Sequence, residues 1–524
     1  MSGRAAGRRL SGIRDDDNME AHNMNPRLPS SRHLPGPLLI AAAVVAAGSL
    51  TWVGVTADAA PATPKAPAAA GGTVLQTNLV SDLAGVAAVT DPNLQNPWGI
   101  SESTGSPFWF SDNNSGLSTL YTVSSSTPVS VSPLAVNIPT PVSATGGAPT
   151  GTVFNSAAAS GGFQVTGPNK SGTTTSAAAD FLFDTEDGTI LGWNPGIDPT
   201  GKFAGPGGAS EEAVIAVDNS GNNFTNPNPN EQTGAVYKGL AIATNSTPIF
   251  AADPASTAVI YATNFRAGAI EVYDANFGKV ALPAGAFADR RLPHGYSPYN
   301  VQVLNGQLYV TYAKQDPSKH DDAPGPHRGF VDVFNLNGTP GLPGGQVRLV
   351  TRGALDSPWG LAIAPTGFAG LTAPGGDPVL LVGNFGDGFI HAYDATNGAW
   401  LGSLKGPDGA PIDISGLWAL RVGNGGSGGL ANTVYFTSGP FNQTHGIFGA
   451  LTTAAPGSAE GPAEQQWVQA NLDVVQADVQ QVSTDRSSGA SAATIAADVQ
   501  QLNADTRNLV LAEQQFAADA IRGA

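Results

Sequence analysis

The chain has 524 residues, 12% of them charged and 41% hydrophobic, with 66 Gly, 40 Pro, no Cys and a formal net charge of −17. That composition disfavours coiled coils and helical bundles over most of the length and suits many short strands joined by tight turns. The lack of cysteine excludes disulfides, thiolate nucleophiles and iron–sulfur ligands, and the acidic balance excludes nucleic acid as a partner, because phosphate binding needs clustered Lys and Arg.

In chain order, a targeting segment comes first. Leu38 to Val55 is an uncharged apolar run, preceded by Arg27, Arg32 and His33 and followed by Ala57-Asp58-Ala59. These are the three regions of a secretory signal, with a small-residue cleavage site before Ala60. The 18-residue run is also long enough to span a bilayer, so an uncleaved N-terminal membrane anchor is the alternative. Residues 1–59 are therefore read as signal peptide or anchor, and 60–72, rich in Pro and Ala, as a linker. The protein is expected to be exported, either secreted or held at the cell envelope.

Residues 73–456 repeat. A Gly- or Pro-marked turn leading into a short apolar strand recurs at Asn96-Pro97-Trp98-Gly99-Ile100, Pro149-Thr150-Gly151, Tyr237-Lys238-Gly239, Ser297-Pro298-Tyr299, Ser357-Pro358-Trp359-Gly360 and Ser415-Gly416-Leu417-Trp418. Each is followed by a second strand, a polar turn and a third strand, which in most units closes on an aromatic residue. Phe108 to Tyr121 and Val379 to Tyr393 are examples. A fourth strand is legible in the first five units, for instance around Arg348 and around Trp400. The sixth lacks one, while an unclaimed strand, Val74 to Ser81, precedes the first unit. This pattern predicts an all-β six-bladed β-propeller closed by its own N-terminal strand, which leaves no open sheet edge. A β-sandwich or a β-solenoid accounts for neither the sixfold recurrence nor the spare strand. Gly at the blade openings permits close approach of the innermost strands, and Trp98, Trp359 and Trp418 are expected to fill gaps between blades.

From Ala463 the apolar period changes to 3.5. It runs through Val468, Leu472, Val475, Val479 and Val482, then resumes at Ile495, Val499, Leu502, Leu509 and Phe516. Residues 462–524 read as an α-helical hairpin with narrow apolar stripes. It either packs on itself or the propeller rim, or serves self-association.

In such a propeller the connections between blades share one face with the turns between second and third strands. Those turns are polar here: Asp112 and Asn113; Glu186 and Asp187; Asn264 and Arg266; a long loop containing His320, Asp321 and Asp322; Asn384 and Asp387; and His445. This mouth is the expected ligand-binding site. Asp112, Glu186, Asn264 and Asn384, taken as equivalent positions on four blades, suit a hard cation such as Ca²⁺ or Mg²⁺; the alternative is that Asp and Asn cap their own turns. His320, Asp321, Asp322 and His327 offer metal ligation or acid–base chemistry, or else a solvated surface loop. His391, inside a strand, reads as structural. No His-Glu-x-x-His or P-loop motif occurs, and no catalytic residue is assigned.

The ordered motifs NPWGI, FWFSDNNSGLSTLY, VYKGLAIA, LYVTYAKQD, SPWGLAIAP, LVGNFGDG and SGLWALRVGNG resemble an uncharacterised family of exported bacterial β-propeller proteins, from Val74 to Leu451. More distantly the blades look like NHL-type repeats and gluconolactonase-like propellers. The second resemblance implies a divalent cation held by a Glu, two Asn and an Asp, types matched by Glu186, Asn264, Asn384 and Asp112. The resulting expectation is an exported propeller that binds a small molecule, a carbohydrate or a protein ligand at its mouth. The alternative is a divalent-metal-dependent hydrolase or lactonase of the gluconolactonase-like type.

Overall fold

A computed structural model describes residues 72–125 and 129–455, together with 480–482, 484–486, 491, 494–495 and 499–502. The targeting segment and the linker up to residue 71 lie outside the described residues. Among the described residues no helix is long and apolar enough to cross a membrane. Residues 480–482, 484–486, 494–495 and 499–502 are helical, whereas the pairing of the two halves of the hairpin lies outside the described residues.

Six sheets form six blades. Their innermost strands are Pro97–Ser101, Pro149–Phe154, Tyr237–Thr244, Tyr296–Leu304, Pro358–Ile363 and Leu417–Val422, in blades 1 to 6. Each pairs antiparallel with the next strand outward, respectively Phe108–Asp112, Phe181–Thr185, Ala258–Asn264, Gln307–Lys314, Val379–Asn384 and Val434–Ser438. Most of these second strands are buried along their whole length, because a blade packs a neighbour on each face. Their sequences therefore read as continuous apolar runs rather than alternating ones. Blades 5 and 6, for example, share a core containing Leu381, Ile390, Leu417, Phe436 and Leu451.

The seam closes as the sequence predicts. Val74–Ser81 runs antiparallel to Ile447–Thr453, with Val74 opposite Thr453 and Ser81 opposite Ile447. Blade 6 is thus built from both ends of the propeller, and Val89–Thr90 adds a parallel pair outside the N-terminal strand. Two blades depart from the four-strand repeat expected of the first five units. Blade 2 carries an extra hairpin, Gln164–Pro168 with Thr174–Ala178, which stretches that unit. Blade 3 has three strands: Val280 still bonds Val272, but Pro283 removes a donor from the segment beyond it, and the fourth strand goes no further than the bridge at Lys279.

Every innermost strand carries a register shift near its start, after the first paired residue in five blades and after the third, Pro298, in blade 4. A bulge of this kind twists the strand and re-aims a side chain. The residues at the shift are Trp98, Thr150, Lys238, Tyr299, Trp359 and Trp418, one per blade. Trp98 stacks on Trp418 at 3.5 Å and meets Trp359 at 6.2 Å and Tyr299 at 6.5 Å. Rings from opposite sides of the circle touch, so the tryptophans fill the axis itself rather than the gaps between blades. The following residue is small where the neighbouring blade presses closest. A Cβ on Gly99 would stand 2.5 Å from the Thr150 carbonyl oxygen, and one on Gly151 would stand 2.3 Å from the Leu240 nitrogen.

Candidate functional site at the mouth

The turn after each second strand is tied to its blade opening by one repeated backbone hydrogen bond. Asn113, Glu186, Phe265, Gln315, Phe385 and Gly439 donate their N–H to the carbonyls of Asn96, Ala148, Val236, Gly295, Ser357 and Gly416. These six positions form a tier above the axial plug. Phe385 stacks on Trp418 at 4.1 Å, and Phe265 packs on Tyr299 at 5.3 Å. Of the three polar members, Asn113 donates to Glu186 at 3.0 Å, and the Gln315 amide donates to the Phe265 carbonyl.

Glu186 is therefore one residue out of step with Asp112, Asn264 and Asn384, whose counterpart in blade 2 is Thr185. A single-residue offset on a strand turns the side chain to the other face, so the four expected cation ligands do not form one ring. Asp112 is buried and accepts the Thr119 N–H at 3.0 Å. Asn264 accepts from Ala267 and donates to Glu271. Asn384 donates to the Ala354 carbonyl and to Asp387, which in turn accepts from Phe389. All three work within their own blades.

What the structure does gather is a cluster from blades 2, 3 and 4. Lys238 rises from the plug and contacts Glu186, with Asp321 Oδ1 at 3.1 Å on its other side. His320 Nδ1 lies 2.9 Å from the same Asp321 oxygen. The neighbouring Asp322 accepts the Tyr299 hydroxyl at 3.0 Å. Exposure grades outward: the side chains of Lys238, Glu186, His320 and Asp321 are 1%, 12%, 33% and 64% accessible. Burial alone would lower the Lys238 pKa, but the two carboxylates outweigh it and raise it. For Asp321, burial is overcome by the His320 hydrogen bond and the Lys238 charge, which hold the carboxyl below its usual range. Glu186, His320 and Asp321 each offer one ligand atom within 4.8 Å of the others. With an ammonium already on two of them, the set does not fit a resident divalent cation.

The remaining expected residues lie around this cluster. Asp187 accepts the Ala148 N–H at 2.8 Å, and Arg266 clamps the preceding connection through Asn223, Gly234 and Gln232. His445 sits at the seam, 2.8 Å from Asp82. His327 bonds the Gly353 carbonyl. His391 is buried within its strand against Ser403. Asn96 links rim to plug: its amide donates to Asn113, Asn114 and Gln443, while its oxygen accepts the Trp418 indole N–H. Three consecutive residues of the last turn, Phe441, Asn442 and Gln443, have φ of 54°, 55° and 68°. A run of left-handed non-glycine residues is backbone strain of the kind that collects at functional loops. The groove lined by Arg352, Tyr393 and Trp400 shares no residue with the cluster.

Lys238 is absent from the sequence expectation, although a signal for it exists. Aligning the six openings by their bulge gives Trp, Thr, Lys, Tyr, Trp and Trp, with Lys238 the one charged residue.

The buried carboxyls make stability depend on pH. Burial pushes Asp184 up to about 7, against hydrogen bonds from Gly151 and Thr150. It lifts Asp187 to about 6 and also raises Asp112 and Asp322. Unfolded carboxyls titrate near ~4, so the folded chain holds extra protons between roughly pH 4 and 7 and loses stability as pH rises through that window. The opposite shift at Asp321 acts only below it. That of His391, which burial lowers to about 4, acts within it but is one group against several, since Asp332 also rises to about 7 and Asp413 to about 6. The melting temperature at constant ionic strength should fall from about pH 5 to about pH 8; an increase would contradict this assignment.

Fold and site together define a six-bladed β-propeller with a plugged axis and a polar mouth. The chain belongs to the family of the uncharacterized protein R648 of Acanthamoeba polyphaga mimivirus, with 30% identity over 385 residues, covering 71% of this chain and 78% of that protein. Uncharacterized protein L690 of the same virus is 29% identical over 385 residues, covering 71% of this chain and 84% of its own length. These relatives are viral, so the bacterial origin attached to the resemblance gains no support from them. No protein-family model matches. Among solved structures, a streptogramin B lyase is 11% identical with a TM-score of 0.33, covering 74% of this chain and 100% of that one. A Penicillium chrysogenum alpha-L-arabinanase is 10% identical with a TM-score of 0.37, covering 73% and 98%. Likeness at this level carries no argument about activity.

Proposed function

We propose that the protein is an exported ligand-binding propeller whose binding seat is the polar mouth above Lys238. The observation that supports this most directly is the plug. Rings fill the axis, and polar side chains from blades 1 to 4 converge above this aromatic floor. Asn113, Glu186, His320 and Asp321 supply carboxamide, carboxylate and imidazole groups suited to a hydroxyl-rich small molecule or carbohydrate. The exported location rests on the Leu38 to Val55 segment.

The test is a thermal-shift and calorimetric screen of mono- and oligosaccharides and small polar metabolites. A ligand of the wild-type chain should bind about tenfold or more weakly to Glu186→Gln and to His320→Ala, which remove charge-assisted hydrogen bonds. His445→Ala, at the seam, should bind normally. Equal affinity in all four proteins would move the seat elsewhere.

A second reading, hydrolysis of a lactone or ester, draws support from one contact. Asp321 engages His320 Nδ1 and so leaves Nε2 as the ring nitrogen able to take a proton from water. Turnover of lactones that persists in EDTA and is lost in His320→Ala would favour it over binding alone.

A further inference from the structure

We infer that the ammonium of Lys238 is the resident cation of this mouth, standing where a divalent metal would otherwise sit among Glu186, His320 and Asp321 and making the site independent of metal. The inference goes beyond the binding reading and holds whichever ligand enters.

Three observations carry it. The first is spacing: ligand atoms from an imidazole and two carboxylates lie within 4.8 Å of one another, a span that one ion covers at metal–ligand distances of about 2.0–2.6 Å. The second is occupancy. Lys238 Nζ contacts Glu186 and lies 3.1 Å from Asp321, so two of the three donors already face a positive charge. An incoming dication would have to displace that ammonium or be repelled by it. The lysine side chain is 1% accessible and is anchored in the innermost strand of blade 3.

The third is the support beneath. Nζ lies 5.0 Å from the centre of the Trp98 ring and 5.9 Å from that of Phe265. Aromatic faces stabilise a cation on the side where no carboxylate reaches. Neither ring offers a lone pair to a metal. A compact monovalent charge on a covalent stem therefore suits the whole surround, whereas a free dication suits only its upper half. The consequence is a mouth whose two carboxylates are bridged by a positive charge that no chelator can remove.

The experiment uses the metal alone as probe. The wild-type chain, stripped with EDTA and titrated with Mn²⁺, Zn²⁺ or Ca²⁺, should show no saturable binding and no metal-dependent change in melting temperature. Lys238→Ser removes the ammonium, and Lys238→Met removes it while keeping a stem to pack on Trp98. Either variant, once folded, should bind Mn²⁺ or Zn²⁺, the ions suited to an imidazole beside carboxylates, about tenfold or more tightly than wild type. Adding His320→Ala should abolish that gain. Saturable binding by the wild-type chain that Glu186→Gln or His320→Ala removes would overturn the inference. So would a folded Lys238→Ser or Lys238→Met protein that acquires no metal. The wild-type measurement decides even if neither lysine variant folds. Since no organic ligand enters the experiment, failure here is distinct from failure of the binding seat.

Discussion

A chain lacking Val74 to Ser81 should not yield a soluble propeller. That strand supplies the outer partner of Ile447–Thr453, and its Val74, Val80 and Ser81 are fully buried. Removing it uncovers an unpaired seven-residue edge together with the apolar layer behind it, a combination that favours aggregation. A point substitution reads the same seam more gently. Val80→Asp would place an unpaired carboxylate where no water reaches, at a cost on the order of 3–5 kcal/mol. By contrast, a chain ending at Pro456 retains all six sheets, since the last strand finishes at Thr453. It should melt cooperatively and near the full-length temperature. Size-exclusion chromatography and thermal melts of the three proteins make the comparison. A monomeric, cooperatively melting protein without Val74 to Ser81 would show that the ring does not depend on its seam.

Trp418→Ala is expected to have the second largest effect. The indole is 1% exposed, stacked between Trp98 at 3.5 Å and Phe385 at 4.1 Å, and its N–H bonds Asn96 at 2.9 Å. Truncating a buried tryptophan costs about 3–5 kcal/mol, cavity included, and the lost ring pairs add to that. Trp400 is the control. It is 45% exposed, and Trp400→Ala should change stability by about 1 kcal/mol or less. Trp418→Ala should also weaken ligand binding, because Asn96 loses the bond that holds it beneath Asn113, Asn114 and Gln443. Chemical denaturation of both variants measures the difference. Equal losses would mean that the axis is not close-packed.

The architecture was legible in the sequence because its signals are local and repeated. Pro or Gly marks each opening, at Pro97, Gly151, Gly239, Pro298, Pro358 and Gly416, and the spare strand before the first unit foretold the seam. The site was legible only in part. Glu186, Asp321 and His320 stood out as polar residues in turns, yet Glu186 was set against Asp112, Asn264 and Asn384. The four turns differ in length, and residue type alone does not reveal an offset of one. Lys238 was hidden for another reason. A lysine following Tyr237 in an apolar segment reads as a strand residue facing water, and only the bulge swings it to the axis. The three-stranded form of blade 3 was also unreadable, since Lys279 and Val280 look like the start of a strand that Pro283 then halts.

The backbone of the ring is nearly sixfold, but what fills its centre is lopsided. Indole and phenol rings come from blades 1, 4, 5 and 6, whereas blades 2 and 3 bring Thr150 and Lys238. One arc therefore acts as a keystone, holding the circle together through ring contact, and the other is released from that duty. On the released arc the turn of blade 2 and the long insertion of blade 4 lean over a charged residue instead of a ring. Loops can be exchanged there at little mechanical cost, while the integrity of the circle stays with the opposite arc.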